Sequence, residues 1–259
     1  IEPETNTVAD LIPQILPGSA DEFRLLTDAV GGKGYRQIDI NLGCPFPMIA
    51  GKHKGAGMLL YPAQVAEVLA PIAEYPEIQF SLKMRLGWEN ASECVVLVEL
   101  LNALRLSRIA LHARTGKQQY KGHPDLEAFQ GFYELCQHPL YYNGGIESLS
   151  DIRQILTRFP LLKGVFIGRG LLSSPLLAKE FKGNETFLPE QRMSIYFAFH
   201  EELFSAYSQV LQGETQLLVK MKTLWEYFLP ETDRKLLKRI KKSTRLQQYT
   251  ESVKAIFTS

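Results

Sequence analysis

"QIDINLGCPFPMIAGKHKGAGMLL", residues 37–60, opens as a strand and closes as the start of a helix. Ile38, Ile40 and Leu42 alternate with Gln37, Asp39 and Asn41, the period of two that puts apolar side chains on one face of a strand and polar ones on the other. Gly43, Cys44 and Pro45 then end the run. The same unit, a β-rich run followed by an amphipathic segment, recurs at "DLIPQIL" (10–16), "IQFSLKMRLG" (78–87), "RIALHART" (108–115), "PLYYNGGI" (139–146) and "GVFIGRG" (164–170). Strands alternating with helices predict a parallel sheet.

The strand starts fall near 11, 37, 79, 108, 140 and 164, a spacing of about 31 residues, which is what a (β/α)8 barrel of roughly 250 residues gives per unit. The expected fold is therefore an α/β TIM barrel. Its count of strands is two short of eight and residue 1 is not Met, which fits a barrel whose first two units, roughly 60 residues, precede Ile1. An open six-stranded sheet is the alternative. Between the strands, Ser19-Ala-Asp-Glu reads as a capped helix start closed at Gly31-Gly32, and "YPAQVAEVLAPIAEY" (61–75), "ASECVVLVELLNALRL" (91–106) and "SLSDIRQILTRF" (148–159) carry helical spacing. Beyond "SSPLLAKEFKGNETFLPE" no further strand follows, and helices are predicted near 189–211, 213–229, 231–241 and 244–257. The expected division is a barrel domain over 1–187 and a small all-helical domain over 188–259.

The 259 residues are 45% hydrophobic and 22% charged, a globular composition with net charge +1. The basic excess lies in the tail, where 188–259 holds 11 Lys/Arg against 8 Asp/Glu, while 1–187 holds 18 against 20. Three cysteines without regular spacing argue against a disulfide framework and fit a reducing cytoplasm. No CxxC pair is present, and no metal is expected. No apolar run reaches the roughly 18 to 20 residues of a membrane span, and the start has neither a basic n-region nor an apolar h-region. A cytoplasmic monomer without membrane attachment is expected.

Ligands of parallel α/β folds sit beyond the carboxyl ends of the strands, so polar residues there come first. Gln14 lies in an apolar strand and must satisfy both ends of its amide, as a core amide or as a ligand contact. Asp39 and Asn41 share a polar face. Lys83 and Arg85 share a face of the next strand, suited to an anionic or electron-rich ligand or to an ion pair at the rim. His112 and Arg114 repeat the device. "NGGI" and "IGRG" put glycines at the ends of consecutive strands, each before a helix start, an arrangement suited to phosphate. Cys44 lies off any helical stripe, between Gly and Pro, with "GKHKGAG" expected as a mobile basic loop after it. A thiol so placed serves as nucleophile or proton donor, whereas Cys94 and Cys136 sit in periodic apolar segments. With no Cys-His-Asn signature, hydrolysis is not favoured.

In this order, "DINLGCP", "GAGMLL", "KMRLGW", "HARTGKQQYKG", "NGGI" and "IGRGLL" resemble the motifs of the tRNA-dihydrouridine synthase family, from Gln14 into the helical tail. The resemblance implies an FMN-binding (β/α)8 barrel followed by a helical tRNA-binding domain, with NADPH as reductant. It implies that Cys44 protonates C5 of uracil while hydride reaches C6 from the flavin. It implies that Gln14, Lys83 and His112 contact the flavin, that Asn143, Gly144, Gly145, Gly168 and Arg169 hold its phosphate, and that Asn41, Arg85 and Arg114 lie near the target uridine. A thiol that must stay protonated is expected to have no strongly cationic neighbour in contact. The family's first-strand Pro-Met type motif has no counterpart before Gln14.

In "DRKLLKRIKKSTRLQQY" helical spacing brings Lys235, Lys238, Arg239 and Lys242 together as a stripe for RNA phosphates, although a charge run is also an ordinary solvated face. Two other readings stay open: an FMN barrel that reduces a free pyrimidine, and an RNA-binding protein without flavin. No Rossmann fingerprint appears, so a nicotinamide would dock transiently over the flavin.

Overall fold

The computed structural model describes residues 2–5 and 11–258. Six strands, β1 (Gln14–Ile15), β2 (Gln37–Leu42), β3 (Gln79–Gly87), β4 (Leu106–Thr115), β5 (Leu140–Asn143) and β6 (Gly164–Phe166), form one sheet in chain order, each neighbouring pair parallel. Order without reversal means every connection advances in one direction, as in a TIM barrel; a doubly wound sheet would reverse at a switch point. The fold is the expected α/β barrel type, here an arc of six strands with β1 and β6 at its edges. Pro13 keeps β1 short, because it has no N–H to donate to a ladder; its carbonyl accepts from Asp39 N–H at 2.9 Å.

The chain divides into two compact units, Ile1–Gly145 with Arg153–Phe166, and Ile146–Ile152 with Ile167–Ser259. In the first unit the helices are α1 (Ala20–Gly31), α2 (Pro47–Ala50), α3 (Pro62–Leu69), α4 (Glu93–Val96), α5 (Val98–Asn102) and α6 (Leu126–Leu135); α7 (Leu149–Arg158) crosses the division. α1 starts as its sequence predicts: Ser19 Oγ accepts from Glu22 N–H at 3.2 Å, and the Glu22 carboxylate reaches back to Gly18 N–H at 2.8 Å. The outward faces of the strands, with Ile38, Ile40 and Leu42 on β2, Phe80, Leu82 and Met84 on β3, and Ile109 and Leu111 on β4, are buried. Phe23 of α1 meets Phe80 with ring centroids 5.2 Å apart, and Phe129 of α6 meets Tyr142 of β5 at 5.0 Å. This apolar layer leaves the alternate, polar positions to the inner face.

Two expectations need correcting. The single helix expected over 91–106 is broken at Leu97 into α4 and α5. Val95, Val96 and Val98 crowd a helix, and the local bonds tighten to i,i+3, Leu97 N–H donating to Cys94 O at 3.1 Å. The "mobile" basic loop is anchored. Lys54 Nζ pairs with Glu22 Oε2 at 2.5 Å, and Gly55 to Leu59, in a 3-10 segment (Gly55–Leu60), are buried. Gly57 there is required for packing, since a Cβ would lie 2.3 Å from Ala50 O.

The second unit is all helical: α8 (Arg169–Ser173), α9 (Leu177–Gly183), α10 (Pro189–Val210), α11 (Glu214–Leu224), α12 (Arg234–Lys242) and α13 (Leu246–Phe257). Its core gathers Tyr196, Met221, Trp225, Phe228, Ile240, Tyr249 and Val253. Inside it Trp225 Nε1–H donates to Tyr249 Oη at 3.0 Å; burial favours neutral His200, whose Nδ1 faces the acceptor Glu201 Oε1 at 3.0 Å and so carries the proton, leaving Nε2 to accept from the Tyr249 hydroxyl at 2.7 Å. Among the described residues no helix is long and apolar enough to cross a membrane.

Candidate active site

The register of the sheet builds the site from its strand ends. Asn41 pairs with Lys83, and Arg85, His112 and Asn143 lie in successive register across β3, β4 and β5. Every second residue near these ends is polar and faces inward.

Gln14 sits between two groups of fixed polarity. Its Nε2 donates to Asp39 Oδ2 at 2.6 Å, and its Oε1 accepts from Asn41 Nδ2 at 2.6 Å. Asp39 Oδ1 accepts from the buried Ser81 hydroxyl at 2.6 Å. Asn41 Oδ1 accepts from the backbone N–H of Gly43 at 2.9 Å and of Cys44 at 2.8 Å. Backbone N–H groups only donate and a carboxylate only accepts, so both amides are locked in one orientation. Gln14 is exposed and keeps one N–H and one lone pair for a ligand.

Lys83 is half-buried, and no hydrogen bond or ion pair holds its ammonium among the described residues. Burial lowers its pKa, the neighbouring Arg85 charge lowers it further, and Asp39 and Cys44 pull the other way. Arg85 is only 1% exposed. Its Nε donates to Gly43 O at 2.9 Å, its Nη1 to Thr115 O at 2.9 Å and to Gln119 O at 2.7 Å, and its guanidinium lies 5.3 Å from the Tyr120 ring centroid. Cys44 is half-buried, with its carbonyl accepting from Ala56 N–H at 3.0 Å. Among the described residues no cation bonds to its sulfur, although Lys83 and Arg85 both lie within electrostatic range.

His112 and Arg114, expected on one face, touch: Arg114 Nη1 lies 3.1 Å from His112 Nε2. A guanidinium only donates, so Nε2 accepts and the imidazole is neutral with its proton on Nδ1. Arg114 Nη2 also donates to Gly122 O at 2.9 Å. Asn143 Nδ2 donates to Phe166 O at 2.8 Å, bracing β5 against β6. Gly144 and Gly145 follow with φ of 130° and 64°, and a Cβ on Gly144 would lie 3.0 Å from His112 Cδ2. Glycine is required there by both torsion and space. In the second unit, Gly168 is exposed and precedes α8, whose first residue, Arg169, is exposed as well.

The four tail cations do converge. Lys235, Lys238, Arg239 and Lys242 line one groove of about 460 Å³ on α12, completed by Gln248 and Glu251 of α13. Sequence reasoning missed the α13 side, and also Ser81 and Tyr120, whose rank follows only from tertiary contacts. A hydroxyl flanked by Phe80 and Leu82 is the one signal that singles out Ser81. Among the described residues no cluster of three or more His, Cys, Asp or Glu side chains is placed to hold a metal.

A parallel barrel-type sheet carries at its strand ends a thiol, a lysine with no partner among the described residues and two fixed amides, the end at which α/β folds of this type place their ligands. The sequence profile of the dihydrouridine synthase (Dus) family matches residues 3–258. The chain belongs to that family. A "Probable tRNA-dihydrouridine synthase" of Rhizobium leguminosarum bv. phaseoli is 32% identical over 139 residues, 53% of this chain and 44% of the relative. The tRNA-dihydrouridine synthase B of Vibrio vulnificus is 27% identical over 161 residues, 61% of this chain and 50% of the relative. The chain thus spans about half the length of the curated relatives it matches. Among solved structures, a morphinone reductase gives a TM-score of 0.48 at 15% identity, covering 67% of this chain and 51% of that one, too remote to bear on function.

Proposed function

We propose that this protein reduces uridine in tRNA to 5,6-dihydrouridine, with FMN as cofactor, NADPH as reductant and Cys44 as proton donor. The observation that carries the reading is the match of residues 3–258 to the family, joined to a thiol just past the end of β2, the strand whose Asn41 is in register with Lys83.

The residues present suit FMN. Lys83 offers a partly desolvated cation with no partner among the described side chains, suited to the electron-rich edge of a flavin ring. Gln14 offers a donor and an acceptor in fixed orientation, and neutral His112 stands beside them. We assign the phosphate to Asn143 and the backbone of Gly144 and Gly145, as the family resemblance implies. When bound, the cofactor supplies hydride to C6 of uracil. Cys44 delivers the proton to C5, its backbone held by Asn41 and Ala56 so that the sulfur is the moving part. Asn41, Arg85 and Arg114 bound the space near the uridine.

We assign the barrel part to 1–187 and tRNA binding to the helices of 188–259, where Lys235, Lys238, Arg239 and Lys242 present one cationic groove to phosphates. That groove favours RNA over a free pyrimidine as substrate. A cytoplasmic monomer is the setting this reading implies.

Purified full-length protein should be yellow, and mapping of dihydrouridine in tRNA from cells with and without the gene should reveal positions that depend on it. Cys44→Ala should keep the colour and lose most product. Full activity in that variant would remove Cys44 from the mechanism; a colourless protein that cannot be reconstituted with FMN would favour an RNA-binding role without flavin.

A further inference from the structure

Cys44 is held more completely than a loop cysteine needs to be. The peptide that joins Gly43 to Cys44 has its carbonyl bonded by Arg85 Nε at 2.9 Å and its N–H bonded to Asn41 Oδ1 at 2.8 Å, one side chain on each edge of the same plane. On the other side of the residue, the Cys44 carbonyl accepts from Ala56 N–H at 3.0 Å. Pro45 confines Cys44 to extended backbone. Gly55 closes over it, with a Cβ there falling 2.9 Å from Cys44 Cβ and 2.8 Å from its carbonyl. The backbone is fixed on every polar atom, which leaves the sulfur a single torsion, χ1.

We infer that Arg85 is a positioning residue for Cys44, whether or not it also meets the uridine: one buried guanidinium, bonded to three carbonyls, ties the Gly43–Cys44 peptide to the 115–120 loop. Gly43 O stands on one side of it, and Thr115 O and Gln119 O on the other. A planar fork of donors reaches acceptors in two directions at once, which a lysine ammonium on a longer, freely rotating stem does not. At 1% exposure the group has little bulk water to replace a lost carbonyl, so the geometry is kept by the fork's bonds together with Tyr120. Tyr120, stacked 5.3 Å from the guanidinium, is carried on the same tie.

The inference rests on the proposed role of Cys44, but its test does not need that role to be right. In flavin-free, RNA-free protein, the alkylation rate of each cysteine by iodoacetamide is followed by mass spectrometry. Arg85→Lys, which keeps the charge, should change the Cys44 rate severalfold while leaving Cys136 unchanged and the fully buried Cys94 unreactive. In the loaded enzyme, kcat should fall roughly 10²-fold, the cost of misplacing a reacting group by about 1 Å, with KM for tRNA unchanged. An unchanged Cys44 rate overturns the inference, and so does a variant that only raises KM, because a pure substrate contact predicts that. If Cys94 becomes reactive, the fold has been lost and Asn41→Ala decides: removing the pin on the opposite edge of the same peptide must give the change specific to Cys44, and an unchanged rate there overturns it.

Discussion

Replacing Asp39 by Leu tests whether the orientation of Gln14 matters for the cofactor. Asp39 accepts 2.6 Å bonds from Gln14 Nε2 and Ser81 Oγ, and it is the one partner of Gln14 whose polarity is fixed by charge. Without it, the Ser81 hydroxyl, 3% exposed, loses its acceptor, a cost of about 1–3 kcal/mol in stability. Gln14 loses the group that holds its N–H side and keeps only the bond from Asn41 Nδ2 to its Oε1, so its donor is held less firmly toward the ligand. Losing one ligand hydrogen bond of about 1–1.5 kcal/mol corresponds to roughly tenfold weaker binding. Asp39→Asn should restore most of it, because its carbonyl takes the place of Oδ2 facing Gln14 while its NH2 faces Ser81 Oγ. The assay is FMN titration by quenching of flavin fluorescence, with thermal unfolding in parallel. If Asp39→Leu binds FMN as tightly as wild type, or if Asp39→Asn is as impaired as Leu, the locked-amide account is wrong.

Burial holds the Lys83 pKa below its ordinary value of 10.5, so between the lowered pKa and 10.5 the unfolded chain binds more protons than the folded one. Stability of the flavin-free protein should therefore rise with pH through that window, and the rise should vanish in Lys83→Met when unfolding is followed by urea titration at several pH values. The His200 pKa is lowered from 6.5 by burial, so below pH 6.5 the unfolded state takes up a proton that the folded state refuses. Stability should fall by about 1.4 kcal/mol per pH unit as the medium is acidified below that point, until the folded pKa is reached; His200→Asn should flatten the profile in circular dichroism melts. Neutralising Lys238 and Arg239 together should weaken tRNA binding and reduce the slope of log K against log salt by roughly 0.7–0.9 per cation lost, measured by filter binding. An unchanged slope would place the phosphates elsewhere.

Much of the barrel unit was legible because period-two alternation in β2, β3 and β4 is a local signal: the polar faces of Asp39 and Asn41, Lys83 and Arg85, and His112 and Arg114 are where the pattern puts them. The tail helices were legible for the same reason, having caps and breaks in sequence. The role of Arg85 was not, because its acceptors are carbonyls at 43, 115 and 119, and a backbone acceptor leaves no mark on residue type. The loop after Cys44 was misjudged because its lysines suggested solvent, while the contact that anchors it, Glu22, lies in another helix. Leu97 broke a helix whose apolar spacing was continuous, since spacing measures which face is buried and not whether β-branched neighbours fit.

The chain holds two tryptophans, and they are distributed one to each compact unit. Trp88, half-buried after β3, emits from a partly wetted setting, whereas Trp225, 2% exposed and bonded through its indole N–H to Tyr249, emits from a dry one. Intrinsic fluorescence therefore separates into a redder and a bluer band without any label. A denaturation curve read at the two wavelengths will report whether the two units come apart together or in turn.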